Sequence, residues 1–116
     1  MKSENAIKNK SFDFAVRIVN LYKFLSTEKK ELVLSRQVLK SGTSIGANVC
    51  ESEHAQSRAD FQNKLNIALK EANETLYWLQ LLFRTNYLEE RLFNSLFEDC
   101  SELTKLLASI VKTLKD

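Results

Sequence analysis

The final quarter of the chain carries the feature that most constrains the fold. Its apolar residues are Phe93, Leu96, Cys100, Leu103, Leu107, Ile110 and Leu114. Successive members lie alternately three and four positions apart, which places them along one side of an α-helix. This spacing is typical of helices that pack lengthwise on their neighbours at shallow crossing angles. We therefore predict a helix here whose whole length faces a core.

Three earlier segments also carry apolar residues at helical spacing. The first runs from residue 11 to about residue 25, with Ser11 as its N-cap. The second begins somewhere within 31–35. The third runs from Ser57 to about residue 85, and Ser57 and Asp60 have the spacing of a capping box.

The connections between these segments are short and poor in turn residues. The chain has 116 residues, no proline and two glycines, which suits helices better than a fold of many strands. Asn86 is placed either to stop the third helix in a left-handed conformation or to cap the fourth helix, with Glu89 as its capping-box partner. We predict an all-α fold, an antiparallel up-and-down four-helix bundle over 11–116, preceded by a loose polar arm over 1–10. No apolar run approaches the roughly 20 residues of a membrane span, so no membrane partner is expected.

The two glycines, Gly42 and Gly46, lie four positions apart on one face of the second helix. Each lowers helix stability by about 1 kcal/mol relative to alanine, a cost that a close approach to a neighbouring helix offsets. We predict such an approach. The alternative is a phosphate-binding loop. A P-loop would require G-x-x-x-x-G-K-[ST], but these glycines are one residue too close and no lysine follows the second.

The first helix carries more apolar residues than one buried face requires. One row is Phe14, Ile18, Leu21 and Leu25, and the adjacent row is Phe12, Ala15, Val16, Val19 and Tyr22. Apolar residues outside the seams of helices 3 and 4 are Ile67, Trp78, Leu81, Leu92, Phe97, Leu106 and Val111. Contiguous exposed apolar patches are uncommon on monomers, so we predict a homo-oligomer. The alternative is that these residues only widen the core.

The two cysteines, Cys50 and Cys100, are far apart and belong to no C-x-x-C motif. We predict that both are buried or half-buried as small apolar residues. The N-terminus lacks the apolar segment of a signal peptide, so a cytoplasmic location is expected and a disulfide is the less favoured alternative.

No combination of residues predicts catalysis, and we expect no enzymatic activity and no cofactor. His54 is the only histidine. Glu51 and His54 have the Glu-x-x-His spacing of di-iron bundles, but such a site needs a second pair and two further carboxylates. A metal shared across a symmetric interface, as in a metal-dependent oxidoreductase, is the alternative. Glu71 and Glu74 are expected to serve packing and hydrogen bonding.

Charge is distributed unevenly along the chain, although the net charge is only +2. Residues 1–42 hold nine basic and four acidic residues, whereas 43–116 hold eight basic and eleven acidic residues. The basic residues that could form one face are Lys8, Lys10, Arg17, Lys23, Lys29, Lys30, Arg36 and Lys40. Clustered Lys and Arg attract phosphate backbones, so nucleic-acid binding is predicted, with ordinary solvated surface charges as the alternative. The residues predicted to contact nucleic acid are Arg17, Lys23, Lys29, Lys30, Arg36 and Lys40.

Sequence motifs in helices 2 and 3 carry a family resemblance. They are SIGANVCE at 44–51, SRADF at 57–61, KLNIALKEA at 64–72 and ETLYWL at 74–79. Together they resemble the four-helix-bundle proteins encoded in intervening sequences of bacterial 23S ribosomal RNA genes, the S23 proteins. The chain is also similar to the accessory variability protein of diversity-generating retroelements. The accessory variability protein is strongly basic, whereas this chain has a net charge of only +2.

The resemblance implies a homopentameric bundle that associates with nucleic acid and has no catalytic activity. The motif positions to which it assigns a structural or interface role are Ser44, Ile45, Asn48, Glu51, Asp60, Phe61, Glu71, Glu74 and Trp78. Our leading hypothesis is a cytoplasmic, non-enzymatic homo-oligomer, most simply a pentamer, that binds structured RNA or a ribonucleoprotein weakly. The alternative is a protein-protein interaction scaffold with no nucleic-acid role.

Overall fold

Four helices account for nearly all of the chain. A computed structural model of the protein describes the backbone of residues 2–115 and the side chains of residues 5–115. The helices are α1 (Lys2–Thr27), α2 (Leu34–Ser52), α3 (Arg58–Arg84) and α4 (Glu90–Lys115). Each packs on the next in the chain, and α4 returns to pack on α1, which closes an up-and-down bundle. No strand occurs within residues 2–115, and the predicted fold class is confirmed.

The ends of the later helices lie where the sequence places them. The second helix begins at Leu34, inside the predicted interval. Ser57 precedes α3, and its hydroxyl oxygen accepts the backbone N–H of Asp60 at 3.0 Å. Asn86 follows the end of α3 with a φ of 70°, the left-handed stop that was predicted.

The predicted seam of α4 faces the core. Its buried members are Leu96, Cys100, Leu103, Leu107 and Ile110, and the two end members are half-buried. The apolar residues outside the seams of α3 and α4 are half-buried, apart from Val111, which is buried. Val111 belongs to the buried core, and Trp78, Leu92, Phe97 and Leu106 pack against it, so these five residues widen the core.

The first helix differs from its prediction at both ends. It begins at Lys2 and ends at Thr27, so residues 2–10 form helix and the predicted loose arm is wrong there; Met1 lies outside the described residues. Ile7 is only 1% exposed and extends the buried row of the helix by two turns. Ser11 is not an N-cap, because it lies inside the helix, where its hydroxyl donates to the Lys8 carbonyl at 3.2 Å. The prediction missed these turns because lysines and other polar residues surround Ile7 in the sequence.

Only one of the two apolar rows of α1 is buried. Phe14, Ile18, Leu21 and Leu25 all face the core. The other row remains on the surface, with Phe12 68%, Val16 48% and Val19 37% exposed and Ala15 and Tyr22 half-buried. We call these five residues the outer apolar row. None of the helices within residues 2–115 is long and apolar enough to span a membrane.

Both glycines of α2 face α1 at close range, which confirms the predicted approach. A Cβ atom on Gly42 would lie 2.7 Å from the Ile18 side chain, and one on Gly46 would lie 3.2 Å from the backbone oxygen of Ser11. Real Cβ atoms essentially never come as close as 2.7 Å, so any larger residue at position 42 would push the two helices apart. The α1–α2 spacing therefore depends on the missing side chains.

A buried polar contact fixes α2 against α3 on its other side. The Thr75 hydroxyl donates to the Ser41 hydroxyl oxygen at 2.9 Å, and both residues are fully buried. The contact was not predicted, since a serine and a threonine 34 positions apart carry no sequence signal that would pair them. Buried hydroxyls must be paired, so this bond specifies how α2 lies along α3.

We predict that Gly42→Ala lowers the free energy of unfolding by up to about 2 kcal/mol, because overpacking costs about 1–3 kcal/mol and the gain in helix propensity offsets only about 1 kcal/mol of that cost. Ile18 is β-branched and its χ1 is stiff, so the contact cannot be relieved by a simple rotation. Urea unfolding followed by circular dichroism measures the change.

The matched background is Ile18→Ala, which removes the atoms that the new methyl group meets. In that background we expect Gly42→Ala to be neutral or stabilising, and the double-mutant cycle to show favourable coupling. If Gly42→Ala costs the same in both backgrounds, the contact with Ile18 is not the reason for glycine at this position.

Candidate nucleic-acid interface

The basic residues of the first half of the chain separate into two groups. Three of them pair with acidic side chains of other helices. The pairs are Lys8–Glu53 at 3.1 Å, Lys10–Glu102 at 2.9 Å and Arg17–Asp99 at 2.7 Å. These partly exposed pairs add little stability, but they neutralise the positive charge of the first half of α1. Arg17, a predicted nucleic-acid contact, therefore faces a carboxylate.

The other five basic residues surround the loop between α1 and α2. They are Lys23, Lys29, Lys30, Arg36 and Lys40, and all five are exposed. None of them forms an ion pair with a side chain that the structure describes. We call these five residues the basic loop end. Of the predicted nucleic-acid contacts, the structure brings these five together and separates Arg17 from them.

Backbone geometry and one carboxylate hold this loop in place. Lys30 adopts a left-handed φ of 57°, which turns the chain. The Glu31 carboxylate is 9% exposed and accepts the backbone N–H groups of Val33, Leu34 and Ser35 at 3.1, 3.0 and 2.7 Å. It thus caps the positive end of α2. Sequence reasoning missed this role because glutamate is not among the residues preferred at an N-cap.

A second surface, between α2 and α3, gathers several of the family-motif residues. Ser44, Asn48 and Glu51 lie on one face of α2 at intervals of four and three. Glu51 meets Lys64 of α3 at 3.4 Å, and Glu71 follows two turns along the same face of α3. We call these five residues the motif surface. The Asn48 amide donates to the Ser44 carbonyl at 2.8 Å, so that contact stays within α2.

The remaining motif residues serve the bundle in different ways. Ile45 is fully buried, and Phe61 packs against the core. Asp60 lies in the first turn of α3, and its carboxylate accepts the backbone N–H of Gln56 at 3.3 Å. Glu74 is exposed and lies close enough to Glu71 to affect its pKa.

The carboxyl group of Glu71 has an altered acidity. Burial raises its pKa, and the neighbouring Glu74 carboxylate raises the pKa further, while Lys70 and Lys40 lower it. Lys40 therefore belongs to the basic loop end and also acts on the motif surface. No nucleophile accompanies Glu71, so the shift reflects a half-buried carboxylate beside a like charge.

Trp78 is the one motif residue with an unsatisfied polar atom. Its indole nitrogen is buried and has no acceptor among the described residues. The ring meets the neighbouring Tyr77 ring edge-on, with centroids 5.1 Å apart. A buried donor without an acceptor is unusual in a folded protein.

The residues considered for metal or thiol chemistry lie at the far end of α2. Glu51, His54 and Cys50 are all exposed, and no group of three or more His, Cys, Asp or Glu side chains within the described residues could hold a metal ion. Cys50 lies on the outer side of α2, so its predicted burial is wrong. Cys100 is buried as predicted; burial and the nearby Asp99 raise its pKa to about 12.

The bundle and its motif surface correspond to a known class of small all-α proteins. Residues 3–109 match the family model for the 23S rRNA-intervening sequence protein, and the chain belongs to that family. It is similar to the crystal structure of a protein with unknown function from the S23 ribosomal protein family of Bacteroides thetaiotaomicron VPI-5482. The two are 64% identical, the match covers 95% of this chain and 98% of that chain, and the TM-score is 0.93.

No curated protein matches the chain. The family predicted from the motifs of α2 and α3 is confirmed, whereas the likeness to the accessory variability protein stays a prediction.

We predict that the free energy of unfolding of the Glu71→Gln variant increases relative to that of the natural protein as the pH rises. The pKa of Glu71 in the folded state is raised above its ordinary value of 4.5. Between pH 4.5 and that raised pKa, the folded state therefore binds the proton more tightly than the unfolded state does. Glu71 therefore lowers the free energy of unfolding as the pH rises above 4.5, and glutamine removes that loss. Urea unfolding at about pH 4 and about pH 7 measures the difference.

The control for this experiment is Glu98→Gln, which neutralises an exposed carboxylate on α4. Its stability should follow that of the natural protein across the same pH range. A constant difference between Glu71→Gln and the natural protein at both pH values would contradict the prediction.

Proposed function

We propose that this protein is a non-enzymatic, self-associating helical bundle of the cytoplasm that binds structured RNA weakly through the basic loop end. One observation carries the proposal: the five cations of the basic loop end form no ion pair with any described side chain, whereas Lys8, Lys10 and Arg17 of α1 are each paired with a carboxylate. Exposed Lys and Arg bind phosphates without reading the base sequence. The family's association with 23S ribosomal RNA genes supports RNA as the ligand.

Binding by one subunit is expected to be weak, because the net charge of the chain is only +2. Self-association would place several copies of the basic loop end on one particle. Several weak contacts to one RNA then act together and raise the overall affinity.

The outer apolar row supports self-association. It runs along nearly three turns of α1 and includes Phe12, which is 68% exposed. The family resemblance gives five as the proposed number of subunits.

A cytoplasmic location is supported by the two free cysteines, of which Cys50 is exposed. An exposed thiol that is not part of a disulfide is more common in a reducing compartment.

We predict that Arg36→Gln combined with Lys40→Gln lowers RNA affinity and flattens its dependence on salt. Each lost phosphate contact should reduce the slope of log K against log salt by about 0.7 to 1. Fluorescence anisotropy with a labelled hairpin from ribosomal RNA, measured across a salt series, gives both quantities.

The matched control is Lys105→Gln combined with Lys112→Gln, which removes two exposed positive charges from α4. It should bind nearly as well as the natural protein. An equal loss in both double variants would mean that net charge matters and the basic loop end does not. Unchanged binding by the Arg36 and Lys40 variant would remove these two residues from the proposal.

We also predict that Phe12→Gln combined with Val16→Gln shifts the protein towards the monomer. Both positions are exposed in the single chain, and glutamine is compatible with a helix, so the fold should survive. Sedimentation equilibrium measures the mass. Cys50 provides a second readout because it lines the same groove as Phe12, and its labelling by a thiol reagent should speed up on dissociation.

The control here is Leu32→Gln combined with Val33→Gln, which removes two exposed apolar side chains from the α1–α2 loop. This variant should keep the mass of the natural protein. A natural protein that is monomeric at micromolar concentration would contradict the self-association part of the proposal.

A protein-protein scaffold without a nucleic-acid role is the second candidate. The same outer apolar row favours it, since such a row can bind a different protein. The salt dependence of binding distinguishes the two candidate functions, because phosphate contacts weaken steeply as the salt concentration rises, whereas apolar contacts do not.

A further inference from the structure

A cavity opens beside the basic loop end, between the last turns of α1 and the α3–α4 connection. It has a volume of about 480 Å³, within the range of small-molecule sites. The residues that matter for its chemistry are Phe24, Lys29, Asn86, Tyr87 and Glu89. We call it the loop cavity.

Two aromatic rings and a cation line the loop cavity. Phe24 is 37% exposed although it is a large apolar residue, and Tyr87 is half-buried. The Lys29 ammonium lies 5.7 Å from the centre of the Phe24 ring. A partly exposed aromatic ring next to a cation suits a ligand with a flat π-system and a negative charge.

Polar side chains also line the loop cavity. Asn86 is exposed, and its backbone N–H is bonded to the Phe83 carbonyl at 3.0 Å. Its side-chain amide has no hydrogen bond to any described residue and offers both a donor and an acceptor. Glu89 adds an exposed acceptor. An amide and a carboxylate recognise the edge of a nucleobase, since they can pair with its amino groups and ring nitrogens.

We infer that the loop cavity holds one unpaired nucleobase, stacked on Phe24 and hydrogen-bonded at its edge by Asn86 and Glu89. The adjoining phosphates would then lie against Lys29 and Lys30 of the basic loop end. This inference rests on the proposed function and makes it more specific. The bases of a duplex are hidden by stacking and pairing, so the preferred ligand is single-stranded or looped RNA. A site for phosphate alone would gain no binding from the Phe24 ring, and the Glu89 carboxylate would weaken its affinity for phosphate.

The test compares one labelled RNA strand of about ten nucleotides with the same strand annealed to its complement. Both are titrated with the full chain by fluorescence anisotropy at about 50 mM salt, where phosphate contacts are strong. The variant is Phe24→Leu, which keeps an apolar side chain at the position and removes the ring. Its matched control is Tyr77→Leu, which removes an exposed ring on α3 that does not line the loop cavity.

We expect Phe24→Leu to weaken binding of the single strand by about fivefold or more, while duplex binding changes less than twofold. Asn86→Gly keeps the left-handed backbone and should also weaken single-strand binding alone. Tyr77→Leu should leave both affinities unchanged. This pattern supports a base-binding cavity.

Two results would overturn the inference, and they differ in what they say about the proposed function. If Phe24→Leu and Asn86→Gly bind both RNAs like the natural protein, while Arg36→Gln with Lys40→Gln binds both more weakly, the cavity does not hold a base and the phosphate interface stands. If the natural protein binds neither RNA even at low salt, the proposed RNA function fails and the inference fails with it.

Discussion

The close approach of α1 and α2 is the contact on which the rest of the bundle depends. Gly42 and Gly46 give α2 a smooth side against which Ile18 and the Ser11 backbone lie. A Cβ atom on Gly42 would clash with Ile18, and one on Gly46 would be tight against the Ser11 backbone, so the two glycines set how closely the helices can pack. The resulting register pairs Lys8 with Glu53 at the far end of α2, and the basic loop end has no carboxylate partner among the described side chains.

The same register divides α1 into a buried side and an exposed apolar side. One row enters the core with Ile7, and the outer apolar row remains on the surface next to α2. An amphipathic helix of a single-chain bundle usually has charged residues on its outer side. A helix that is apolar on two sides is expected to meet a second molecule. In this protein the structural core and the proposed assembly surface therefore belong to one helix.

Regular spacing predicted most of the fold, because periodic burial leaves a clear record in the sequence. The seam of α4 and the Ser57 cap of α3 are examples. The N-terminal turns of α1 were missed because Ile7 stands alone among polar residues, and its burial depends on partners distant in sequence. The basic loop end was predicted as part of a broader basic face. Which of these cations pair with a described carboxylate could not be predicted, since the ion pairs of Lys8, Lys10 and Arg17 join residues at least 45 positions apart.

The chain contains a single tryptophan, and Trp78 lies half-buried on the outer part of α3, near the motif surface. Its fluorescence therefore comes from one place in the molecule and needs no label. A neighbouring molecule that covered the exposed part of the indole would change the wavelength and intensity of that emission. The half-buried ring thus gives the protein an intrinsic optical signal for whatever binds beside α3.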